Sequence, residues 1–485
     1  MLFEANSVIF VLLTALIFFI LQGRARLYCL LAASVLYMLW LSPTAAAAAV
    51  LISVITFFTG KRIGDAAADG RDRAARGLLA AAVIAYCILL LFYKFFPLAY
   101  EAFIPQPEGA DAGGILSGIV IPVGLSFYLF QAISYLADIY MQKYTPNPDP
   151  VSFLVYMLFF GKFISGPIER EADFYDELAN AQRVRFFDIS RLTSVLMYVL
   201  YGCLLKVVIA DRIAIYADQL FGSCIAYSTS WLIIGSLLYT LQLYCDFAGY
   251  SYMVTGIALL FGIRLSVNFD SPYCSENITE FWRRWHITLG SWFRDYVYIP
   301  LGGNRRGFAR KLLNLAVVFI LCGIWHGSGL TFVIWGALHA LYSVLDNLAA
   351  KNGFLSRLRR GIAGRFFTFC AASFAWIFFR ADDMKHLADY LGTMINAGFR
   401  PHSFIVEFYS LEMSRPELYV TSAGIIFIIL CDIISYIKKK SLPELLSGIP
   451  FAGKCAFVYM ALGCILVLGV YGIGYDGTQL IYMQF

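Results

Sequence analysis

Charge is scarce in this sequence. Lysine, arginine, aspartate and glutamate make up only 14% of its 485 residues, where soluble domains carry roughly 25%. So small a charged share over such a length excludes a soluble globular fold and implies an integral membrane protein. Paired cysteines are lacking too. The eleven cysteines stand singly, mostly in apolar stretches, with no CxxC and no disulfide or metal spacing. They read as small buried hydrophobes, a lipidated interfacial cysteine being the alternative. No low-complexity tract, soluble segment or repeat period divides the chain, so one membrane domain over 1–485 is expected. The first apolar segment has no basic stretch before it and no small-residue cleavage site after it, which predicts a retained helix rather than a cleaved leader. The net charge of +5 is modest and gives no nucleic-acid surface.

What is abundant is apolar length. Hydrophobic residues make up 60% of the chain and aromatics 17%. A membrane span needs about 20 mostly apolar residues. Such stretches lie near 6–22, 27–42, 44–60, 77–97, 115–137, 191–210, 229–262, 312–325, 329–348, 361–380, 419–437 and 454–474. The shorter 151–165 contains Gly161 and ends in Gly166-Pro167, and reads as a re-entrant or interfacial segment. The fold class is therefore all-α and polytopic, with about 11–12 transmembrane helices plus re-entrant or interfacial ones.

Basic residues in short loops mark the cytoplasmic side. Arg24 and Arg26 follow the first span, Lys61, Arg62, Arg71, Arg73 and Arg76 lie between the third and fourth, and Lys438, Lys439 and Lys440 follow the penultimate one. The loop EAFIPQPEGADAGG holds three acids and no base. The N-terminus is thus expected outside. Residues 264–311, with Arg283, Arg284, Arg294, Arg305, Arg306, Arg310 and Lys311, are expected in the cytoplasm, and 381–418 forms a long polar outer loop. The apolar run 312–348 becomes a hairpin with His326 deep in the membrane at its turn.

Five histidines are candidates for proton chemistry. His386 and His402 read as solvated residues of the outer loop. His339 follows His326 by 13 residues, roughly 220° around one helix, so the two share no face; His339 reads as a packed or interhelically hydrogen-bonded residue. His326 lies in GIWHGSGLTF, flanked by Gly323, Gly327 and Gly329 and by Trp325 and Trp335. From these residues it is either a buried structural histidine or a base that takes a proton from a hydroxyl. A second focus is NITEFWRRWHITLGSWFRDYVYIPLGGNRRG, Asn277 to Gly307. Trp282, Trp285 and Trp292 with Phe281, Phe293 and Tyr296 form an aromatic belt studded with arginines. It is either an interfacial helix on an anionic leaflet or a site for a polyanionic donor held by arginine forks. LGGNRRG lacks the GK[ST] ending of a P-loop. Other intramembrane polar residues, among them Asp138, Lys206, Asp211 and Asp246, are expected to pair with one another or with the interface.

The stretch YCDFAGYSYMVTGIALLFGIRLSVNFDSPYCSENITEFWRRWHITLGSWFRDYVYIPLGGNRRG, followed by GIWHGSGLTFVIWGALHA, resembles the membrane-bound O-acyltransferase family. It is most similar to its bacterial branch, typified by the alginate O-acetyltransferase membrane subunit. PVGLSFYLFQAISYLADIY, FISGPIER and the closing QLIYMQF fit that branch. The resemblance implies a ring of helices around a thinned core with a tunnel to a deep histidine. It implies that His326 matches the catalytic histidine and His286 the second histidine, where eukaryotic relatives often have Asn or Asp. On this view Trp282, Arg283, Arg284, Trp285, Arg294, Asp295, Arg305 and Arg306 are candidates for donor binding. Acetyl-CoA or another acyl thioester serves as co-substrate, with no bound cofactor and no metal. Implied partners are membrane lipids, an extracytoplasmic acetyltransferase-like protein and polysaccharide synthesis machinery, at a bacterial inner membrane. A D-alanyl transfer protein of teichoic acid modification is a near alternative. From outside the enzyme class, a transporter or flippase, or a scaffold that anchors another transferase, would use the same polar residues without chemistry.

Overall fold

The computed structural model describes residues 5–103 and 122–470. Most of the acidic loop, the start of the 115–137 stretch and the closing QLIYMQF lie outside the described residues. Every element among the described residues is helical. Nine helices there are long and apolar enough to cross a membrane, and two shorter apolar ones, Asn6–Ile20 and Ala25–Leu41, accompany them. The chain is a polytopic all-α membrane protein. Its outward apolar side chains fit that setting: Leu12, Leu16 and Ile20 near the start and Tyr459, Leu466 and Val467 near the end are exposed, as lipid contacts should be.

The helices fall into two compact units, Met1–Leu192 with Ile257–Ser266, and Thr193–Gly256 with Val267–Phe485. The first holds α1 (Ala5–Ile20), α2 (Ala25–Leu41), α3 (Pro43–Ala68), α4 (Asp72–Phe103), α5 (Leu125–Tyr140), α6 (Pro150–Leu158) and α7 (Glu171–Arg183). Ser42 starts α3 by accepting from the Ala45 amide at 3.3 Å ahead of Pro43, satisfying a donor that the first turn leaves open. With nine residues, α6 is about 14 Å long, well short of the ~30 Å hydrocarbon layer, so the 151–165 segment does not cross. Its exit is pinned instead. Buried Lys162 donates Nζ to the Tyr156 carbonyl at 2.6 Å, and buried Glu169 of FISGPIER accepts from the Ser266 amide and hydroxyl at 2.7 and 2.8 Å. Arg26 departs from the loop-charge reading. It is buried and donates to the carbonyls of Leu21, Ala181 and Val184, because the end of α7 leaves acceptors that a guanidinium fork can satisfy.

The second unit holds most of α8 (Ile189–Cys203), α9 (Asp211–Gly222) and most of α10 (Thr229–Leu260). It continues with α11 (Ile278–Arg284), α12 (Ile287–Phe293), α13 (Phe308–His326), α14 (Leu330–Ala349), α15 (Gly353–Leu358) and α16 (Gly361–Arg380). The remaining elements are α17 (Met384–Asn396), α18 (Pro401–Ser410), α19 (Arg415–Lys438), α20 (Leu442–Ser447) and α21 (Phe451–Leu468). Between α8 and α9 the backbone widens to a π turn, Leu204–Ala210. It carries Lys206, whose Nζ lies 2.7 Å from Asp211 and 2.6 Å from Asp246, all three buried. Intramembrane charges are thus paired, as their desolvation requires. The 381–418 segment is not a solvated loop. It folds into α17 and α18, and His386 is tied down by Asp382 at 3.1 Å and the Phe221 carbonyl at 3.0 Å, while His402 stays exposed. All eleven cysteines are free; four are buried, but Cys87 and Cys370 are exposed, a setting that an apolar thiol tolerates against lipid as well as in a core.

Candidate active site

His326 closes α13, and Gly327 breaks the helix before α14 returns antiparallel to it. The hairpin is close because two glycines face each other. A Cβ on Gly323 would lie 2.4 Å from the Phe332 carbonyl oxygen, and one on Gly336 would lie 2.5 Å from that of Phe319. Only glycine permits that approach. Both arms are long and apolar enough to cross a membrane, which a shallow dip would not need.

The buried imidazole of His326 has aromatic walls. Its ring centroid lies 4.8 Å from Trp325, 5.1 Å from Trp335 and 5.2 Å from Phe379, all edge-on. His339 packs on the other histidine's neighbour, 4.9 Å from Trp335. The helical-wheel separation of His326 and His339 fails because the chain is not one helix across 326–339. The break at Gly327 puts them on different helices, and the structure gathers both about one tryptophan.

The aromatic belt of 281–296 also turns inward. Phe281, Trp285, Trp292 and Phe293 are buried in protein rather than laid on a lipid surface. The reason is a reversal at His286, which has φ 44° and ψ 56° and separates α11 from α12. That left-handed conformation is uncommon outside glycine, asparagine, aspartate and histidine, and even there it carries a cost that the surroundings must offset. Here the flanking backbone imposes it: the Asp270 amide donates to the Arg284 carbonyl and the Ile287 amide to that of Asn268, both at 3.0 Å. The Asn268 side-chain oxygen then accepts from the Thr288 amide at 3.2 Å and hydroxyl at 2.7 Å, and lies 3.3 Å from His286 Nδ1. An oxygen that takes an amide proton must be an acceptor, so His286 carries its proton on Nδ1 and presents Nε2 as a lone pair. Burial pushes the His286 pKa down to about 3, so the ring is neutral at physiological pH. In this state Nε2 can accept a proton or a hydrogen bond but cannot donate one to a carbonyl.

Ring contacts join the two histidines' surroundings. From His286 they run through Phe247 (4.8 Å), Phe269 (5.0 Å), Trp285 (5.2 Å), Trp376 (4.9 Å) and Trp335 (5.7 Å) to His326 (5.1 Å). His286 and His326, chosen separately from sequence, therefore belong to one aromatic block.

The arginines divide. A cavity of about 520 Å³ is lined by Asp270, Asn277, Thr279, Glu280, Arg283, Arg284 and Arg359. Arg284 is occupied by Asp270 at 2.7 Å and Glu280 at 3.0 Å. Arg359 is held by Asp346 at 2.8 Å, and that carboxylate also accepts from the Thr279 amide at 3.2 Å. Arg283 is exposed and has no carboxylate or hydrogen-bond partner among the described residues. Arg294 pairs with its neighbour Asp295 at 2.8 Å, and Arg305 and Arg306 are exposed on the glycine turn; none of these four lines the cavity. Arg359 and Asp346 escaped sequence reasoning, since both lie more than sixty residues from Arg283. The basic character of 351–360 was the only signal for Arg359.

A family model described as MBOAT, membrane-bound O-acyltransferase family, matches residues 142–380. A "Probable alginate O-acetylase AlgI" of Pseudomonas putida is 32% identical over 403 residues, 82% of this chain and 81% of its own. The chain belongs to the membrane-bound O-acyltransferase family. A peptidoglycan O-acetyltransferase of Helicobacter pylori is 34% identical over 57% of each chain. A teichoic acid D-alanyltransferase of Bacillus subtilis is 28% identical over 58% of this chain and 71% of its own. The matched range contains His286, His326, His339, Arg283 and Arg359. This member of the family is a multi-pass membrane acyltransferase, and the transporter and scaffold readings are set aside.

Proposed function

We propose that this acyltransferase moves an acetyl group from a cytoplasmic thioester, acetyl-CoA, towards a hydroxyl of an extracytoplasmic polysaccharide, through a partner acetyltransferase outside the membrane. The observation that carries the donor side is Arg283, an unpaired arginine on the wall of a cavity one residue from Trp282, which enters the aromatic block around His326. A guanidinium without a carboxylate partner is disposed to take a phosphate in bidentate fashion, and the donor's nucleotide end supplies phosphates. The similarity to alginate and peptidoglycan O-acetyltransferases supports an acetyl group and an envelope glycan.

In the reaction, neutral His326 takes the proton of the acceptor hydroxyl as its oxygen attacks the thioester carbonyl carbon. The carbon–sulfur bond breaks, and the imidazolium returns its proton to the departing thiolate. His286, with Nε2 as acceptor, orients an N–H or O–H of donor or acceptor. The aromatic walls exclude water, which strengthens each of these contacts and suppresses hydrolysis.

The similarity to a teichoic acid D-alanyltransferase favours a second reading, D-alanyl-type transfer to teichoic acid, for which we propose a carrier-protein thioester as donor. Reconstituted protein separates the two. With a hydroxyl acceptor supplied, thiol release from acetyl-CoA is expected, and Arg283→Lys should raise the donor KM roughly tenfold while keeping kcat, because lysine keeps the charge and loses the fork. Turnover only with the carrier thioester would move the assignment to the second reading, and an unchanged KM in Arg283→Lys would remove Arg283 from the donor site.

A further inference from the structure

We propose that His339 is a positioning residue, holding the indoles of Trp282 and Trp335 in place around His326; this rests on the reading that His326 carries acyl transfer. His339 is completely buried on α14. Its Nδ1 accepts from the Trp282 indole N–H at 3.2 Å. The two rings meet edge-on at 4.9 Å. His339 also packs at 4.9 Å on Trp335, which lies 5.1 Å from His326. One imidazole thus ties α11, which leads into His286, to the hairpin that ends at His326.

The hydrogen bond fixes the tautomer. Because Nδ1 accepts, the ring proton sits on Nε2. That N–H is buried and finds no acceptor among the described residues. Leaving a buried donor unmatched is unfavourable, so filling space cannot be what selects histidine here: a phenyl ring would pack without that penalty. What histidine offers is the Nδ1 acceptor, and that acceptor fixes which way the Trp282 indole faces. Trp282 in turn lies 5.8 Å from Trp335, closing a triangle of rings with His339 on which the His326 imidazole leans. A wall that drifts lets the base drift with it, and small misplacements of a reacting group are costly in rate.

The test uses the conservative geometry of asparagine, whose side-chain oxygen reaches the place of imidazole Nδ1. In reconstituted vesicles given acetyl-CoA and a hydroxyl acceptor, His339→Phe and Trp282→Phe should each lower kcat roughly 10–100-fold, with donor KM and the thermal midpoint near the parent's. His339→Asn should recover most of the rate, and the double Phe variant should lose no more than either single one, since both remove the same bond. Asparagine no better than phenylalanine, multiplied losses in the double variant, or a change in KM instead of kcat would each overturn the positioning role. Failure of the underlying reading has its own signature, equal donor turnover by the parent and by His326→Ala.

Discussion

At the scale of single residues, His286 combines a left-handed backbone with a buried, neutral ring. The two features make separable demands. The backbone demand is met by asparagine, which adopts positive φ more readily than most residues. The protonation demand has a sign. An unfolded histidine takes its proton near the ordinary value of 6.5, whereas the folded ring resists protonation down to about 3. The unfolded state therefore binds more protons below 6.5, and stability is complete above that pH and is lost as the pH falls. Relative to the fully deprotonated state, the loss at pH 5 amounts to roughly 2 kcal/mol for this one group. The thermal midpoint of solubilised protein should fall between about pH 6.5 and pH 5, and His286→Asn should flatten the fall. An equally steep fall in the variant would show that the protonation penalty lies elsewhere. His286 was singled out by the family resemblance of FWRRWH; its reversed backbone was not readable, because only pairing of 268–270 with 284–287 enforces it.

At the scale of elements, the α13–α14 hairpin sets the site. Its glycines and its aromatic run were readable, so the turn at His326 was found from sequence alone. What could not be read was how the two arms would register. Gly323 and Gly336 lie close across the hairpin, and their approach places Trp335 beside His326. Gly336→Val forces a branched side chain against the Phe319 carbonyl, and overpacking of this kind costs about 1–3 kcal/mol. It should lower the thermal midpoint and the folded yield, while Gly392→Ala, at a helical glycine with open space around it, should leave the midpoint unchanged or raise it slightly. Equal midpoints for the two variants would mean that the hairpin is not held by glycine contact. The arginine belt was half legible. Its density pointed to an anionic partner, but the carboxylates that occupy Arg284 and Arg359 come from α11, the preceding loop and α14, and sequence spacing gives no sign of them.

At the scale of the whole molecule, orientation follows from charge. If each long helix of α13, α14, α16, α19 and α21 crosses, the basic segments 283–311, 351–360 and 438–440 fall on one side. By the positive-inside rule that side is expected to be cytoplasmic, which would open the cavity of Arg283 to the proposed cytoplasmic donor and put α17 and α18 outside. In a cysteine-free background, Arg305→Cys should be labelled only after the membrane is opened, and His402→Cys from outside intact cells. Labelling of position 305 in intact cells would invert the topology and remove the donor site from the cytoplasm. The all-helical class and most of the spans were legible because lipid imposes a length and a composition. The short α6 was legible for the same reason, by falling short of both.

The proposed role of His326 as the base for acyl transfer is tested most directly by comparing His326→Ala with the parent at equal membrane abundance. The readout is labelled acetyl passed from acetyl-CoA into alkali-labile ester on envelope polysaccharide, together with donor thiol released by the reconstituted protein when a hydroxyl acceptor is present. Loss of a general base typically costs 10²–10⁴-fold, so both signals should drop by at least about a hundredfold while the variant stays folded. Near-parental ester and thiol release from folded His326→Ala protein would contradict it.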